Sequence, residues 1–116
     1  MRRVVSYGGV KAISLQKKKV LESARDAARI LKERLGFVKE VYLFGSLVKG
    51  THHGLSDADF IVVVSIPMNP KNFWKIYGPV HDTISEAFNL SFDLLVLDEE
   101  TFEKNKDAYK PLMQIA

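Results

Sequence analysis

Cysteine is absent from the sequence, and so is any long apolar run. Without cysteine the chain can form no disulfide, no thiolate metal site and no cysteine nucleophile. The longest strongly apolar segment, residues 60–64, has the length of a strand and is far too short to span a membrane. No apolar stretch of signal-peptide length follows the basic residues near the start. These features predict a cytoplasmic protein with no membrane partner.

A large excess of one charge is also missing, because 17 basic residues face 14 acidic ones, for a formal charge of +3. Much of the basic excess lies early, at Arg2, Arg3, Lys11 and residues 17–19. Basic patches can attract nucleic acid, but these residues are not interleaved with stacking aromatic side chains. The charge pattern therefore favours a solvated face, and nucleic acid is not expected as a partner.

The chain has 116 residues, of which 47% are hydrophobic, as expected for one globular domain with a real core. We therefore predict a single domain over residues 1–116. Tyr7-Gly8-Gly9 has the composition of a turn, so residues 1–13 are interpreted as a loose arm.

Alternating periodicities predict an α+β fold, a small mixed sheet flanked by helices in the order α-β-α-β-α-β with a helical tail. The predicted strands cover residues 38–44, 57–65 and 91–97, and the predicted helices cover residues 14–35 and 69–89, with a helical linker at 47–56 and the tail at 99–116.

Four residues qualify the helix predictions. Ser14 is an N-cap candidate and Gly36 a C-terminal stop for the first helix. Pro79, after Gly78, predicts a kink or a break in the second helix. Trp74 lies beside the apolar face of that helix and is expected to be partly buried rather than to stack on a base.

Two aspartates open the second predicted strand. Residues two apart on a strand point to the same side, so Asp57 and Asp59 present two carboxylates together. Aspartate is poorly suited to strands and like charges repel, so a bound divalent cation is the simplest reason for the pair, with magnesium favoured by the hard oxygen ligands. An Asp-x-Asp alone is weak, because most such pairs are turns at a strand entry.

A third aspartate interrupts the last predicted strand. Asp93 is a lone charge among Phe92, Leu94 and Leu95, and it can face the same site if the second and third strands are neighbours. Alone, it could equally be an edge-strand residue that reaches water. Three carboxylates at one place are hard to explain without a metal ion.

The first strand ends at Gly45-Ser46. Glycine permits close approach of the backbone to a ligand, and a helix that begins after Ser46 would direct its N–H groups and dipole at a phosphate. Lys49 adds a positive charge nearby. Most Gly-Ser pairs are simple turns, so the joint spacing, Gly-Ser, ten residues, Asp-x-Asp and a later strand aspartate, carries the argument.

With this spacing the chain resembles the minimal nucleotidyltransferase family of the DNA polymerase beta superfamily, over residues 38–97 in motif order. It has no Walker-type phosphate loop. The resemblance implies that Asp57, Asp59 and Asp93 bind magnesium, two ions in all, and that Asp93 helps to activate the acceptor hydroxyl. It implies that Gly45 and Ser46 hold the triphosphate. A nucleoside monophosphate, AMP from ATP in our prediction, would pass to a hydroxyl with release of pyrophosphate.

Two features stand apart from that pattern. Family members often carry arginine after the Gly-Ser pair, whereas this chain has Lys49, which meets a phosphate as a point charge without a bidentate fork. His52, His53 and His81 match no zinc-ligand spacing and are left out of the site.

The residues account for a nucleotide pocket but not for an acceptor pocket. The resemblance implies a helical HEPN-type partner, as in toxin–antitoxin pairs in which the nucleotidyltransferase is the antitoxin and modifies the toxin. The alternative is a non-catalytic antitoxin-like module that neutralises a partner by contact. Whether the enzyme is active alone stays open at this point.

Overall fold

The computed structural model describes the backbone of residues 4–44 and 58–116, and the side chains from residue 17 onward within those ranges. Four helices and four strands follow one another in this part of the chain. In chain order they are α1 (Val4–Arg34), β1 (Val38–Phe44), β2 (Ala58–Val64), α2 (Phe73–Ala87), β3 (Phe92–Asp98), α3 (Glu99–Asn105), a 3-10 helix (Lys106–Tyr109) and β4 (Leu112–Gln114).

The strands form one mixed sheet in the order β3-β2-β1-β4. β1 is antiparallel to both of its neighbours, while β2 and β3 are parallel. A parallel pair needs a crossover connection, and α2 supplies it between β2 and β3. The predicted α+β fold with a small mixed sheet flanked by helices is therefore confirmed, and the three predicted strands lie within one or two residues of their expected bounds.

One face of the sheet carries the larger core. Alternate residues of β2, from Ala58 to Val64, point to this face and pack against α1 and α2. On α1 the buried residues recur at helical spacing, as predicted: Val20, Ala24, Ala27, Ala28 and Leu31. On α2 the buried apolar residues are Ile76, Val80 and Ile84.

The opposite face carries a smaller core. Ile61 and Val63 of β2 meet Phe102 of α3 there, and all three side chains are buried. The ring of Phe102 stacks on Tyr42 of β1 with the centroids 4.8 Å apart. β2 is thus covered on both faces, which explains why its sequence is an almost continuous apolar run.

The start of α1 was predicted wrongly. The helix begins at Val4, so Ser14 lies inside it rather than at its N-cap, and residues 4–13, interpreted as an arm, have helical backbone. Tyr7-Gly8-Gly9 suggested a turn, but an internal glycine costs a helix only about 1 kcal/mol. At the other end the helix stops at Arg34, and Gly36 lies in the turn before β1, as expected.

α2 differs from its prediction in three details. It begins at Phe73 rather than near residue 70, because the Asn69 carboxamide oxygen accepts hydrogen bonds from the backbone N–H groups of Lys71 and Asn72 and holds a turn there. Pro79 does not break the helix. Trp74 is 72% exposed rather than partly buried, since it lies about 200° around the helix from the buried Ile76 and therefore on the solvent side.

The end of the chain is the largest departure from the predicted fold. Residues 99–116 were expected to be a helical tail, but α3 and the 3-10 helix end at Tyr109, and residues 112–114 form β4. β4 pairs with β1, so that Leu112 lies opposite Phe44 and Gln114 opposite Tyr42. Three residues are too few for a periodic signal, and their pairing with a distant strand leaves no local mark in the sequence.

Among the residues that the structure describes, no helix combines the length and the apolar character needed to cross a bilayer.

Asp98 joins β3 to α3 and offers a test of this arrangement. Its carboxylate accepts hydrogen bonds of 2.9 Å from the backbone N–H groups of Met68 and Thr101. These bonds, the one from Met68 first, hold the pKa of Asp98 below its ordinary value of 3.8. We expect Asp98→Ala to lower the free energy of unfolding by about 1–2 kcal/mol at pH 7, the usual cost of losing a helix cap.

Because the folded-state pKa is lowered, this stabilisation is present above pH 3.8 and is lost as the pH falls through the folded-state pKa. Urea unfolding at pH 7 and at pH 3 measures both effects. The exposed Asp26→Ala variant is the control and should stay within about 0.5 kcal/mol of the unaltered protein. Equal losses in the two variants at pH 7 would contradict this role for Asp98.

Candidate active site

Two of the three predicted metal-binding aspartates lie side by side. Asp59 is the second residue of β2 and Asp93 the second residue of β3, and the parallel register pairs them directly. Neighbouring strands are about 4.8 Å apart, so their side chains start from adjacent backbone positions. The crossover through α2 brings together two residues that are 34 positions apart in the sequence.

Both aspartates point to the same face of the sheet. Ala58 and Phe60, the neighbours of Asp59 along β2, point into the larger core, so the side chain of Asp59 points to the opposite face. Ile61 and Val63 point to that same opposite face. Asp93 likewise shares the parity of Leu95 on that face. Asp59 is partly buried and Asp93 is exposed, and each makes further interactions within the protein. The pair therefore lies at the solvent-accessible end of the face that α3 covers.

The chemistry of this pair suits a hard divalent cation. Two adjacent carboxylates supply oxygen ligands of the kind that magnesium prefers. Among the side chains described, in residues 17–44 and 58–116, no three histidine, aspartate or glutamate residues are grouped as a metal site. Asp57, the third predicted ligand, directly precedes β2 and lies outside the described residues. Its place beside Asp59 stays a prediction.

The predicted nucleotide-binding residues Gly45, Ser46 and Lys49 also lie outside the described part of the chain, as do His52 and His53, which were left out of the predicted site. The described residues that flank this segment are Phe44 and Ala58. Phe44 ends β1 and is paired with Asp59, while Ala58 begins β2. The two residues that flank the Gly-Ser segment therefore lie at the same end of the strands as Asp59 and Asp93.

An aromatic surface that the sequence analysis did not predict borders the acidic pair. Phe44 lies directly opposite Asp59 on β1, and its ring meets that of Tyr109 with the centroids 6.2 Å apart and the planes at 65°. Both rings are partly exposed. Phe44 could have been noticed because it directly precedes Gly45. Tyr109 left no signal, since its position depends on the unpredicted β4.

Tyr42 lies on the same face, two residues before Phe44 on β1 and opposite Ile61. It is not suited to act as a general base. Burial, followed by a hydrogen bond that its hydroxyl donates to the Glu40 carboxylate, raises the pKa of Tyr42 to about 12. The hydroxyl therefore stays protonated at neutral pH and is already engaged. It supports the packing of Phe102 rather than the chemistry.

His81 belongs to the other face of the molecule. Its ring packs against Tyr77 and Phe92, with centroids 5.9 Å and 5.4 Å away, and Phe92 belongs to the larger core. It therefore plays the structural part that the sequence suggested.

A shallow cavity of about 290 Å³ lies at the opposite end of β3 from Asp93, lined in part by Met68, Phe73 and Asp98. The carboxylate of Asp98 in this cavity already accepts two backbone hydrogen bonds. The acidic pair is therefore the stronger candidate site, although it lies on an open surface.

The family model described as "Nucleotidyltransferase domain" matches residues 24–112 of the chain, which is more than three quarters of its length. This chain belongs to the nucleotidyltransferase domain family. The resemblance drawn from the sequence motifs is confirmed at this level. Family membership implies a nucleoside triphosphate as substrate and, typically, a divalent metal ion.

A solved structure supports the same fold. A Sulfolobus solfataricus protein, itself assigned only provisionally as a nucleotidyltransferase, superposes with a TM-score of 0.64 at 24% identity, over 88% of this chain and 84% of that one. A second provisionally assigned nucleotidyltransferase has a TM-score of 0.46 at 21% identity, over 74% of this chain and 89% of that one. A search of the curated proteins gave no significant match.

The acidic pair predicts a metal-dependent gain in stability. Magnesium with ATP at about ten times the dissociation constant should add about 1.4 kcal/mol, which raises the melting temperature of a domain of this size by roughly 5 °C. Asp59→Asn and Asp93→Asn should each remove most of this rise, because each deletes one charged oxygen ligand. Thermal melts with and without magnesium measure the effect.

Asp26→Asn is the matched control, because Asp26 is an exposed aspartate of α1. It should keep the full rise. A rise that survives both substitutions in the acidic pair would place the metal elsewhere.

Proposed function

We propose that this nucleotidyltransferase domain transfers a nucleoside monophosphate, AMP from ATP, to a hydroxyl group on a partner protein. The observation that carries the proposal is the register of β2 and β3, which makes Asp59 and Asp93 neighbours on one face. They stand beside the ends of the segment that holds the Gly-Ser motif. Carboxylates for a metal ion and a turn for phosphates are the two parts that such a transfer needs.

Asp57, Asp59 and Asp93 are the proposed ligands of two magnesium ions. When bound, the ions would neutralise phosphate charge and stabilise the attacking and leaving oxygens. Gly45 and Ser46 would hold the triphosphate through backbone N–H groups and a hydroxyl, and Lys49 would add a positive charge. The two described aspartates fit this role because their oxygen atoms are the hard donors that magnesium takes.

The proposed reaction is a single displacement at the α-phosphorus. The acceptor oxygen forms a bond to that phosphorus while the bond to the oxygen that bridges to the β-phosphate breaks, and pyrophosphate leaves. The Asp93 carboxylate accepts the proton of the acceptor hydroxyl. β3 is an edge strand of the sheet, so an acceptor can approach Asp93 from the open side.

The acceptor is proposed to belong to a helical HEPN-type partner, with this chain as the antitoxin of a toxin–antitoxin pair in the cytoplasm. This part of the proposal rests on the family resemblance rather than on the geometry.

The direct test isolates the proteins that co-purify with this chain and incubates each of them with the chain, α-labelled ATP and magnesium. We expect label on the partner and a partner mass increased by one nucleoside monophosphate. Asp59→Asn should lower the transfer rate at least about a hundredfold, since it removes a ligand at the reacting centre. An assay without the partner determines whether the protein acts alone.

The matched control, Asp26→Asn, should leave the rate unchanged. No label on the partner with any of the four common nucleoside triphosphates would refute the proposal.

The second candidate function is neutralisation of a partner by contact alone. It is favoured by an aromatic cluster on α2, in which the ring of Trp74, 72% exposed, meets Phe73 and Tyr77, since contiguous exposed apolar surface often marks a protein interface. The double variant Asp57→Asn with Asp59→Asn separates the two functions. If neutralisation of the partner survives this change intact, contact rather than chemistry is the function.

A further inference from the structure

The row of residues that crosses the sheet at the candidate active site changes in character from one edge to the other. Leu112, Phe44, Asp59 and Asp93 are successive cross-strand partners on β4, β1, β2 and β3. The side on β1 and β4 is apolar and aromatic, and the side on β2 and β3 is acidic. Tyr109 stands against Phe44 on the aromatic side.

We infer that Phe44 and Tyr109 form the platform on which the nucleobase of the triphosphate stacks. The inference rests on the proposed function and adds the location of the nucleobase to that proposal. A ribose separates the base of a nucleotide from its α-phosphate, and the side chain of Phe44 separates Tyr109 from Asp59. A nucleotide whose phosphates lie at the acidic pair can therefore extend its base over these rings.

The direction of the nucleotide follows from the same row. Phe44 directly precedes Gly45-Ser46, the proposed triphosphate-binding pair, so the nucleotide belongs on the β1 side. Asp93 stands on the edge strand, on the far side of Asp59, where the acceptor enters. A base on the β3 side would occupy the approach of the acceptor.

The surroundings hold Tyr109 in place before any ligand arrives. It ends the 3-10 helix that continues α3, and α3 is anchored to the sheet by the buried Phe102. Three residues later Leu112 pairs with Phe44, which fixes the chain from the other side. A ring that is held on both sides loses little freedom when a base stacks on it, so most of the stacking energy is available for binding.

The remaining aromatic side chains of this face are used in packing. Phe102 is buried, and Tyr42 stacks on it while its hydroxyl binds Glu40. Trp74 is more exposed than any of them, but it lies on α2, across the sheet from the acidic pair. It therefore serves as a control for unspecific stacking.

The test compares a probe that has a base with one that has none. Calorimetric titrations of the full chain in magnesium would use the α,β-methylene analogue of ATP and inorganic tripolyphosphate. Stacking of one base on an aromatic ring contributes enough that Tyr109→Ala should weaken binding of the ATP analogue about tenfold or more. Tripolyphosphate binding should stay within about twofold, and Tyr109→Phe should bind both probes like the unaltered protein.

Trp74→Ala should leave both affinities unchanged, and thermal melts would verify that each variant is folded. The inference is overturned if Tyr109→Ala leaves the affinity for the ATP analogue unchanged or weakens the binding of both probes equally. It is also overturned if Tyr109→Ala lowers the affinity for the ATP analogue no more than Trp74→Ala does. In each of these cases the proposed function stands as long as Asp59→Asn still abolishes magnesium-dependent binding. If Asp59→Asn changes neither titration, the proposed function itself fails, and the inference with it.

Discussion

The parallel pairing of β2 with β3 is the constraint on which the candidate active site depends. A slip of one residue in the register of β2 would turn Phe60, Val62 and Val64 away from the larger core and would turn the Asp59 carboxylate into that core. The same register makes Asp59 and Asp93 partners. The hydrophobic packing that stabilises the fold thereby also sets the spacing of the two carboxylates.

The helices divide the work between the two faces of the sheet. α1 and α2 cover one face and supply the larger core, with Phe88 and Phe92 packed around Phe60. The short α3 covers only part of the other face, chiefly through Phe102, and leaves the row of Phe44, Asp59 and Asp93 accessible at its end. Asp59 and Asp93 thus lie where α3 no longer covers the sheet, and neither of them belongs to a buried cluster.

The sequence predicted what local patterns can encode. The apolar stripe of α1 and the three long strands follow from periodicity, because burial selects it directly. The sequence placed Asp59 and Asp93 on one face only on the condition that their strands are neighbours, and the structure shows that these strands pair. The sequence analysis did not predict β4, since a three-residue strand is specified by contact with β1 rather than by its own composition. The position of Tyr109, which depends on β4, was therefore not predicted either. The exposure of Trp74 was also missed: it lies two positions, about 200° around the helix, from the buried Ile76. Asp57 and the Gly-Ser pair stay predictions, as they lie outside the described residues.

The central claim is that Asp59 and Asp93 share one divalent cation. Manganese takes the same oxygen ligands as magnesium and can be located by its anomalous scattering, so crystals grown with Mn²⁺ and a non-hydrolysable nucleotide test the claim directly. The account predicts an anomalous peak within about 2.2 Å of a carboxylate oxygen from each of the two residues. Fully occupied peaks none of which contacts both residues would contradict it.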